Sequence, residues 1–402
     1  MVPLLRSFAL CLCLALSCLA LSAAVGLAQE RAKVTLGYVG LENDPRHREL
    51  ETYANVPIRP AIVPLDGAAV AMRDARAIGR AIGVELVLEA VRAKDLEGAL
   101  AAVERLAGEF GARFVLVDLP DEMVAELAAR TRGRELVLLN VSARDDRLRG
   151  EACAPHLFHV IPSRAMLADA LAQHLAFMNW REVLLLVGPE PEDERWGEAF
   201  ARAIRRFGGR IVDTRRFVSG RDPRQREQNN PRLLTQGIHY DVVAIADTDG
   251  EFGRLLPYQT VLPRPVVGTH GLVPVAWHWA YERQGAPQLE QRFERSLPVP
   301  RKMTDPEFAA WAAIRAVLDA MARARSAEFA KVRAALLDQN ATIDLYKGAP
   351  GTFRPWDRQL RQPILLGTND AVIGRAPYEK FLHQRNTLDT LGVDEPESRC
   401  RG

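Results

Sequence analysis

The chain has 402 residues, 48% hydrophobic and 26% charged, with 53 Lys+Arg against 51 Asp+Glu and a net charge of +2. That balance excludes a disordered chain and argues against a protein that grips nucleic acid or an anionic membrane through bulk charge. The 5 cysteines are too few and too scattered for a disulfide scaffold or a multi-cysteine zinc module, and domains of roughly 100–200 residues would make two or three from this length.

The chain opens on Arg6, an apolar run from Phe8 to Leu21, and the small residues Ser22, Ala23, Ala24, Gly26 and Ala28. This is the pattern of a secretory signal, with the cut expected after Ala28 and residues 1–28 removed. An uncleaved anchor and a lipoprotein cut before Cys18 are the competing readings. Cys11, Cys13 and Cys18 leave with the signal. Cys153 and Cys400 then face an oxidising compartment, where a disulfide is the expectation and two free thiols the alternative.

After the signal, short apolar runs alternate with helical patterns. Val34–Val39, Val84–Val91, Phe114–Leu119 and Leu136–Val141 read as strands. Leu65–Ile82, Leu96–Phe110 and Asp121–Thr131 read as the helices between them. The runs do not alternate polar with apolar, as expected of parallel strands buried on both faces. A second series follows: Leu157–Ile161 extended, Arg164–Phe177 helical behind the N-cap Ser163, Val183–Val187 strand, Glu194–Phe207 helix, then strands Arg210–Phe217, Asp241–Ala246 and Pro265–Gly268. Val218–Asn230 reads as a polar surface excursion.

The last third holds helices at Gln288–Leu297 and Asp305–Ala324, the runs Phe353–Trp356 and Pro363–Leu366, and a long polar tail. Helices without strands of their own pack on sheets already built. The fold class is therefore α/β, with two Rossmann-like lobes of parallel sheet flanked by helices and joined by a multi-strand hinge. Residues 33–155 plus 275–335 are expected in lobe 1, 156–274 plus 336–380 in lobe 2, and 381–402 as the C-terminal tail.

Chemistry-bearing motifs are missing: no G-x-G-x-x-G, no G-x-x-x-x-G-K-[ST], no H-E-x-x-H, no C-x-x-C and no G-x-S-x-G. No cofactor is implied, and an enzyme ranks last because no nucleophile stands beside an acid/base partner. His156 and His159 have a metal-compatible spacing but no second cluster nearby, so no metal is expected; His270 and His278 are similarly isolated. Glu190, Glu192, Asp193 and Glu194 suit a helix N-terminus. Trp180, Trp277, Trp279, Trp311 and Trp356 read as packing, whereas Trp196 sits near a strand end.

Ligands of open parallel sheets bind outside the carboxyl ends of the strands. Those ends are Gly40–Glu42, Asp118–Leu119, Ser142–Arg144, Gly188–Pro189, Asp247–Asp249 and Thr269–Gly271. From them, Ser142, Arg144, Asp247, Thr248 and His270, with Trp196 as an apolar wall, are the candidate ligand-binding residues. Each polar one also reads as a stabiliser of its own loop.

Leu136–Gly150, Leu157–Phe200 with Ile161-Pro162-Ser163 and Arg195-Trp196-Gly197-Glu198, Asp241–Phe252, Pro265–Leu272 and Asp66-Gly67-Ala68 together resemble type I periplasmic solute-binding proteins of ABC transporters, the leucine/isoleucine/valine-binding class. Phe353–Pro363, Trp277-His278-Trp279, Phe381–Arg385 and Pro396–Cys400 resemble in particular the subgroup associated with PQQ-dependent alcohol dehydrogenase systems. The resemblance implies a periplasmic clamp for a small solute, with ABC permease and ATPase subunits as partners and a PQQ-dependent dehydrogenase as a further one. Its alternative is a non-transport accessory protein for such a dehydrogenase. Amino-acid receptors of this class hold the ligand carboxylate where this chain has Leu119-Pro120 and Arg144. Leu119 offers no side-chain donor and Pro120 no N–H, while Arg144 suits an anionic group.

Overall fold

The computed structural model describes residues 32–51, 55, 57–218, 223–225 and 227–401. The expected signal, Met1–Ala28, and part of the 218–230 excursion lie outside them. The first strand, β1 (Ala32–Leu41), is followed by a small hairpin, β2 (Leu50–Glu51) and β3 (Pro57–Arg59), and by helix α1 (Pro64–Ala81). Then come β4 (Val84–Ala93), α2 (Leu96–Gly108), β5 (Phe114–Asp118), α3 (Asp121–Arg130), β6 (Val137–Asn140) and β7 (Leu157–His159). Strands β1 and β4 to β7 form one parallel sheet in the order β4-β1-β5-β6-β7.

The second lobe contains α4 (Arg164–Phe177), β8 (Glu182–Val187), α5 (Pro191–Arg206), β9 (Arg210–Arg216), α6 (Pro231–Thr235), β10 (Val242–Ala246) and β11 (Val266–Gly268). Its parallel sheet runs β11-β10-β8-β9. Helix α5 begins three residues before the expected Glu194, because Pro191 fits the first helical turn and Glu190 with Asp193 completes a capping box. The acidic run thus caps a helix, as its position at a strand-to-helix junction suggests.

The chain then supplies β12 (Val273–Val275), α7 (Ala286–Ser296), α8 (Asp305–Ala324), α9 (Phe329–Leu337), β13 (Thr352–Phe353), β14 (Leu360–Arg361), β15 (Ile364–Gly367) and β16 (Val372–Ala376). Helices α1 and α8 pack on one face of the first sheet. A Cβ on Gly67 would lie 1.9 Å from the Glu307 carbonyl oxygen, so only glycine lets the two backbones approach this closely. The small residues Ala68, Ala71, Ala309, Ala312, Ala313 and Ala316 share that core.

Two lobe boundaries differ from expectation. β7 pairs with β6, so the chain leaves lobe 1 after His159 rather than at residue 156. Leu336, Ile343, Leu345, Phe353 and Leu360 lie in the lobe 1 core, although 336–380 was expected in lobe 2. The strands concerned, β7 of three residues and β13 and β14 of two each, are too short to reveal from their own pattern which lobe they join.

The antiparallel sheet β12-β15-β16 joins the lobes. Alternate side chains of a strand point to opposite faces, and here Leu365 enters the lobe 1 core while Ile364 and Leu366 enter the lobe 2 core. Beside it, the buried Lys347 donates through Nζ to the Ala276 carbonyl (2.9 Å), Gln362 Oε1 (2.6 Å) and the Pro363 carbonyl (2.8 Å). Burial without a touching carboxylate pushes this amine down to about 7.

The tail is not a free polar extension. Asp389 is buried and accepts from Arg354 Nε (2.9 Å) and Arg361 Nε (2.7 Å), while Leu391 enters the lobe 2 core. Gly392 N donates to Asp169 of α4 at 2.8 Å. Cys400 is disulfide-bonded to Cys153 across 247 positions of sequence, with Cα atoms 5.5 Å apart. The tail therefore touches both lobes.

Candidate ligand cleft

In each parallel sheet the chain winds first to one side of its opening strand and then to the other. The crevice at that reversal, outside the carboxyl ends, is where such sheets take ligands. In lobe 1 it lies between β1 and β5, paired at Gly40 and Asp118. In lobe 2 it lies between β8 and β10, paired at Val187 and Ala246.

At the lobe 1 crevice, Asp118 ends β5 and is buried. Tyr38 Oη donates to its Oδ2 at 2.7 Å, and His47 Nε2 lies 2.7 Å from its Oδ1. Burial opposes the charge of Asp118. The His47 hydrogen bond, the His47 and Arg46 charges and the Tyr38 hydroxyl outweigh that penalty and hold the carboxyl down at about 2. Burial and Asp118 push the Tyr38 phenol far above its usual value.

Arg46, in the loop after β1, lies across the crevice. Its Nε and Nη2 donate to Asp44, Nη2 also reaches Asp118 Oδ1 at 3.3 Å, and Nη1 donates to the Leu119 carbonyl (3.0 Å) and Ser142 Oγ (3.1 Å). Asp44, His47 and Asp118 have ligand atoms within 4.8 Å of one another, a donor set that suits a divalent cation. The Arg46 guanidinium is the cation between these carboxylates in the structure.

The lobe 2 crevice is built around carboxylates. Asp193, at the third residue of α5, accepts from Thr248 N and Thr248 Oγ1, both 2.7 Å, and from Glu190 N at 3.1 Å. A Cβ on Gly188 would lie 2.3 Å from Asp193 Oδ2, so the strand end needs glycine. Asp247, buried, accepts from Gly250 N (3.2 Å) and Gly253 N (2.5 Å). Burial, then Asp249, pushes its carboxyl up to about 7. His270 packs over Gly253, where a Cβ would come 2.6 Å from Nδ1, and burial lowers its pKa to about 4. The imidazole is neutral at pH 7.

Between the crevices, Arg164 at the start of α4 donates to Asp121 Oδ2 of α3 (2.7 Å) and to Glu192 of α5 (2.6 and 2.8 Å). One guanidinium, 7% exposed, thus joins helix N-termini of the two lobes.

Of the residues singled out in the sequence, Ser142 lies at the first crevice, and Asp247, Thr248 and His270 at the second. Arg144 is at a strand end, but its Nη2 donates to Asp305 Oδ2 (2.7 Å) and its Nη1 to the Pro162 carbonyl (3.2 Å), which ties the loop to α8 and the crossover. Trp196 packs on Phe200 at 5.4 Å against the lobe 2 core. Arg46, His47, Asp44 and Arg164 escaped the sequence reading. The Asp-Pro-Arg-His run immediately after the first strand of a parallel series is the signal that locates three of them.

The architecture is that of type I periplasmic binding proteins, two parallel sheets flanked by helices. A periplasmic binding protein from Burkholderia mallei shares it at TM-score 0.63 and 14% identity, over 92% of this chain and 98% of that one. An ABC transporter substrate-binding protein from Desulfitobacterium hafniense in complex with Leu matches at TM-score 0.62 and 17% identity, over 85% and 99%. An ABC transporter solute-binding protein from Rhodopseudomonas palustris in complex with benzoate matches at TM-score 0.62 and 12% identity, over 92% and 100%. No protein-family model and no curated protein sequence matches the chain.

Proposed function

We propose that the chain is the solute-binding component of an ABC-type import system, exported to the periplasm and delivering to permease and ATPase subunits. The observation that carries this is the pair of switch-point crevices, each lined by convergent polar groups and with Arg164 linking the helix N-termini beside them, on the fold shared with solved solute receptors. Ser142, Thr248, Asp247 and His270 line the walls that close on the solute, and the β12-β15-β16 sheet is the hinge. The tail resemblance, at Phe353–Pro363 and Pro396–Cys400, supports service to a PQQ-dependent alcohol oxidation system.

Thermal-shift and calorimetric screening across amino acids, alcohols, aldehydes, carboxylates and quinone cofactors tests the reading, with small-angle scattering as the readout of closure. A saturable solute that compacts the protein is expected. No binding and no compaction with any class would overturn it. Arg144, whose guanidinium is engaged with Asp305 and Pro162, favours a second reading: an accessory protein of the dehydrogenase itself. Under that reading the dehydrogenase copurifies stoichiometrically and no solute binds.

A further inference from the structure

The anion-holding capacity of the lobe 1 crevice is used internally. A guanidinium has five N–H donors, and those of Arg46 are directed at Asp44, Asp118, the Leu119 carbonyl and Ser142 Oγ. The backbone offers little in their place. Ser142 N and Ala143 N both donate to Asn140 Oδ1, at 3.2 and 2.9 Å, and Pro120 has no N–H. The α3 N-terminus, whose dipole would otherwise attract an anion, carries Asp121 and Glu122 in its first turn.

Resting on the solute-receptor reading above, we propose that Arg46 is a specificity-determining residue of this cleft: its guanidinium fills the lobe 1 crevice and restricts the site to solutes that present no carboxylate there. A carboxylate entering this wall meets Asp44 and Asp118 with no uncommitted Arg46 N–H to receive it. Charge repulsion and donor loss act in the same direction. An incoming hydroxyl or amine instead meets acceptors, since carboxylate and carbonyl oxygens each carry more than one lone pair.

The test uses the mature protein and three probes: L-leucine, benzoate and ethylguanidinium. In calorimetry the wild type is expected to give no saturable signal with leucine or benzoate. Arg46→Ala should lower the melting temperature by several degrees. Ethylguanidinium should then restore it saturably, while leaving the wild type and the Arg46→Ala/Asp118→Asn double variant unmoved. Arg46→Lys keeps the charge but loses the fork of donors. It should melt below the wild type, show no rescue, and serve as the readout if Arg46→Ala does not fold.

Saturable leucine or benzoate binding by the wild type would overturn the proposal. So would equal responses of wild type and Arg46→Ala to ethylguanidinium, or an Arg46→Lys variant as stable as the wild type. If rescue succeeds while no solute of any class closes the cleft, the assignment of Arg46 to the crevice stands and the transport reading falls.

Discussion

The two crevices occupy equivalent places in their sheets yet solve opposite electrostatic problems. In lobe 1 a cation, Arg46, lies among carboxylates, and Asp118 is held ionised down to about 2. In lobe 2 buried carboxylates are held by backbone N–H groups and a threonine hydroxyl, and Asp247 rises to about 7. A strand-end carboxylate is therefore salt-linked where an arginine of a neighbouring loop reaches it, as Arg46 reaches Asp118, and proton-sensitive where backbone N–H groups hold it, as at Asp247. Asp118 keeps its charge across the neutral range, whereas Asp247 changes there.

Three substitutions and a titration sharpen this contrast. Asp118→Ala leaves Arg46 without one of its two carboxylate partners and His47 and Tyr38 without theirs, so it should cost about 3–5 kcal/mol in urea unfolding. Asp193→Ala removes an acceptor of three hydrogen bonds but strands no buried cation, and about 1–3 kcal/mol is expected. Equal losses would break the distinction between the crevices.

The titration follows from the opposite shifts. Asp247 is raised, so between the ordinary carboxylate range and about 7 the folded protein binds more protons than the unfolded chain, and stability falls as pH rises through that window. Wild type should lose on the order of 2 kcal/mol between pH 5 and pH 8 relative to Asp247→Asn, after allowing for a partial relaxation of the buried site. Asp118 is depressed, so its contribution is present above the ordinary carboxylate pKa and is lost only as pH falls toward about 2. Equal pH 5–8 slopes in wild type and Asp247→Asn would assign the effect elsewhere. The smallest effect expected is that of Thr248→Val, about 1 kcal/mol from one lost hydroxyl bond to Asp193, with the backbone N–H still donating.

Much of this architecture was legible in the sequence. Buried parallel strands are uninterrupted apolar runs, so β5, β6, β8 and β10 announce themselves, and Asp305–Ala324 reads as a helix from its pattern alone. Strand ends follow from strands, which is why Ser142, Asp247, Thr248 and His270 fall on the crevice walls. The hinge strands, of three to five residues, and the tail contacts of Asp389 and Leu391 leave no comparable periodicity. Their place depends on partners tens to hundreds of residues away.

By itself the sequence determined two α/β units, the strand ends and the residues standing at them, because hydrophobic runs and helix periodicity are local properties. Only the tertiary structure decided which charges are engaged. Arg144 goes to Asp305, Arg164 to Asp121 and Glu192, and Arg46 to Asp118, Leu119 and Ser142. An arginine's partner is set by which carboxylate or carbonyl the fold brings within about 3 Å of it. Spacing along the chain does not carry that information for groups 28 to 161 positions apart.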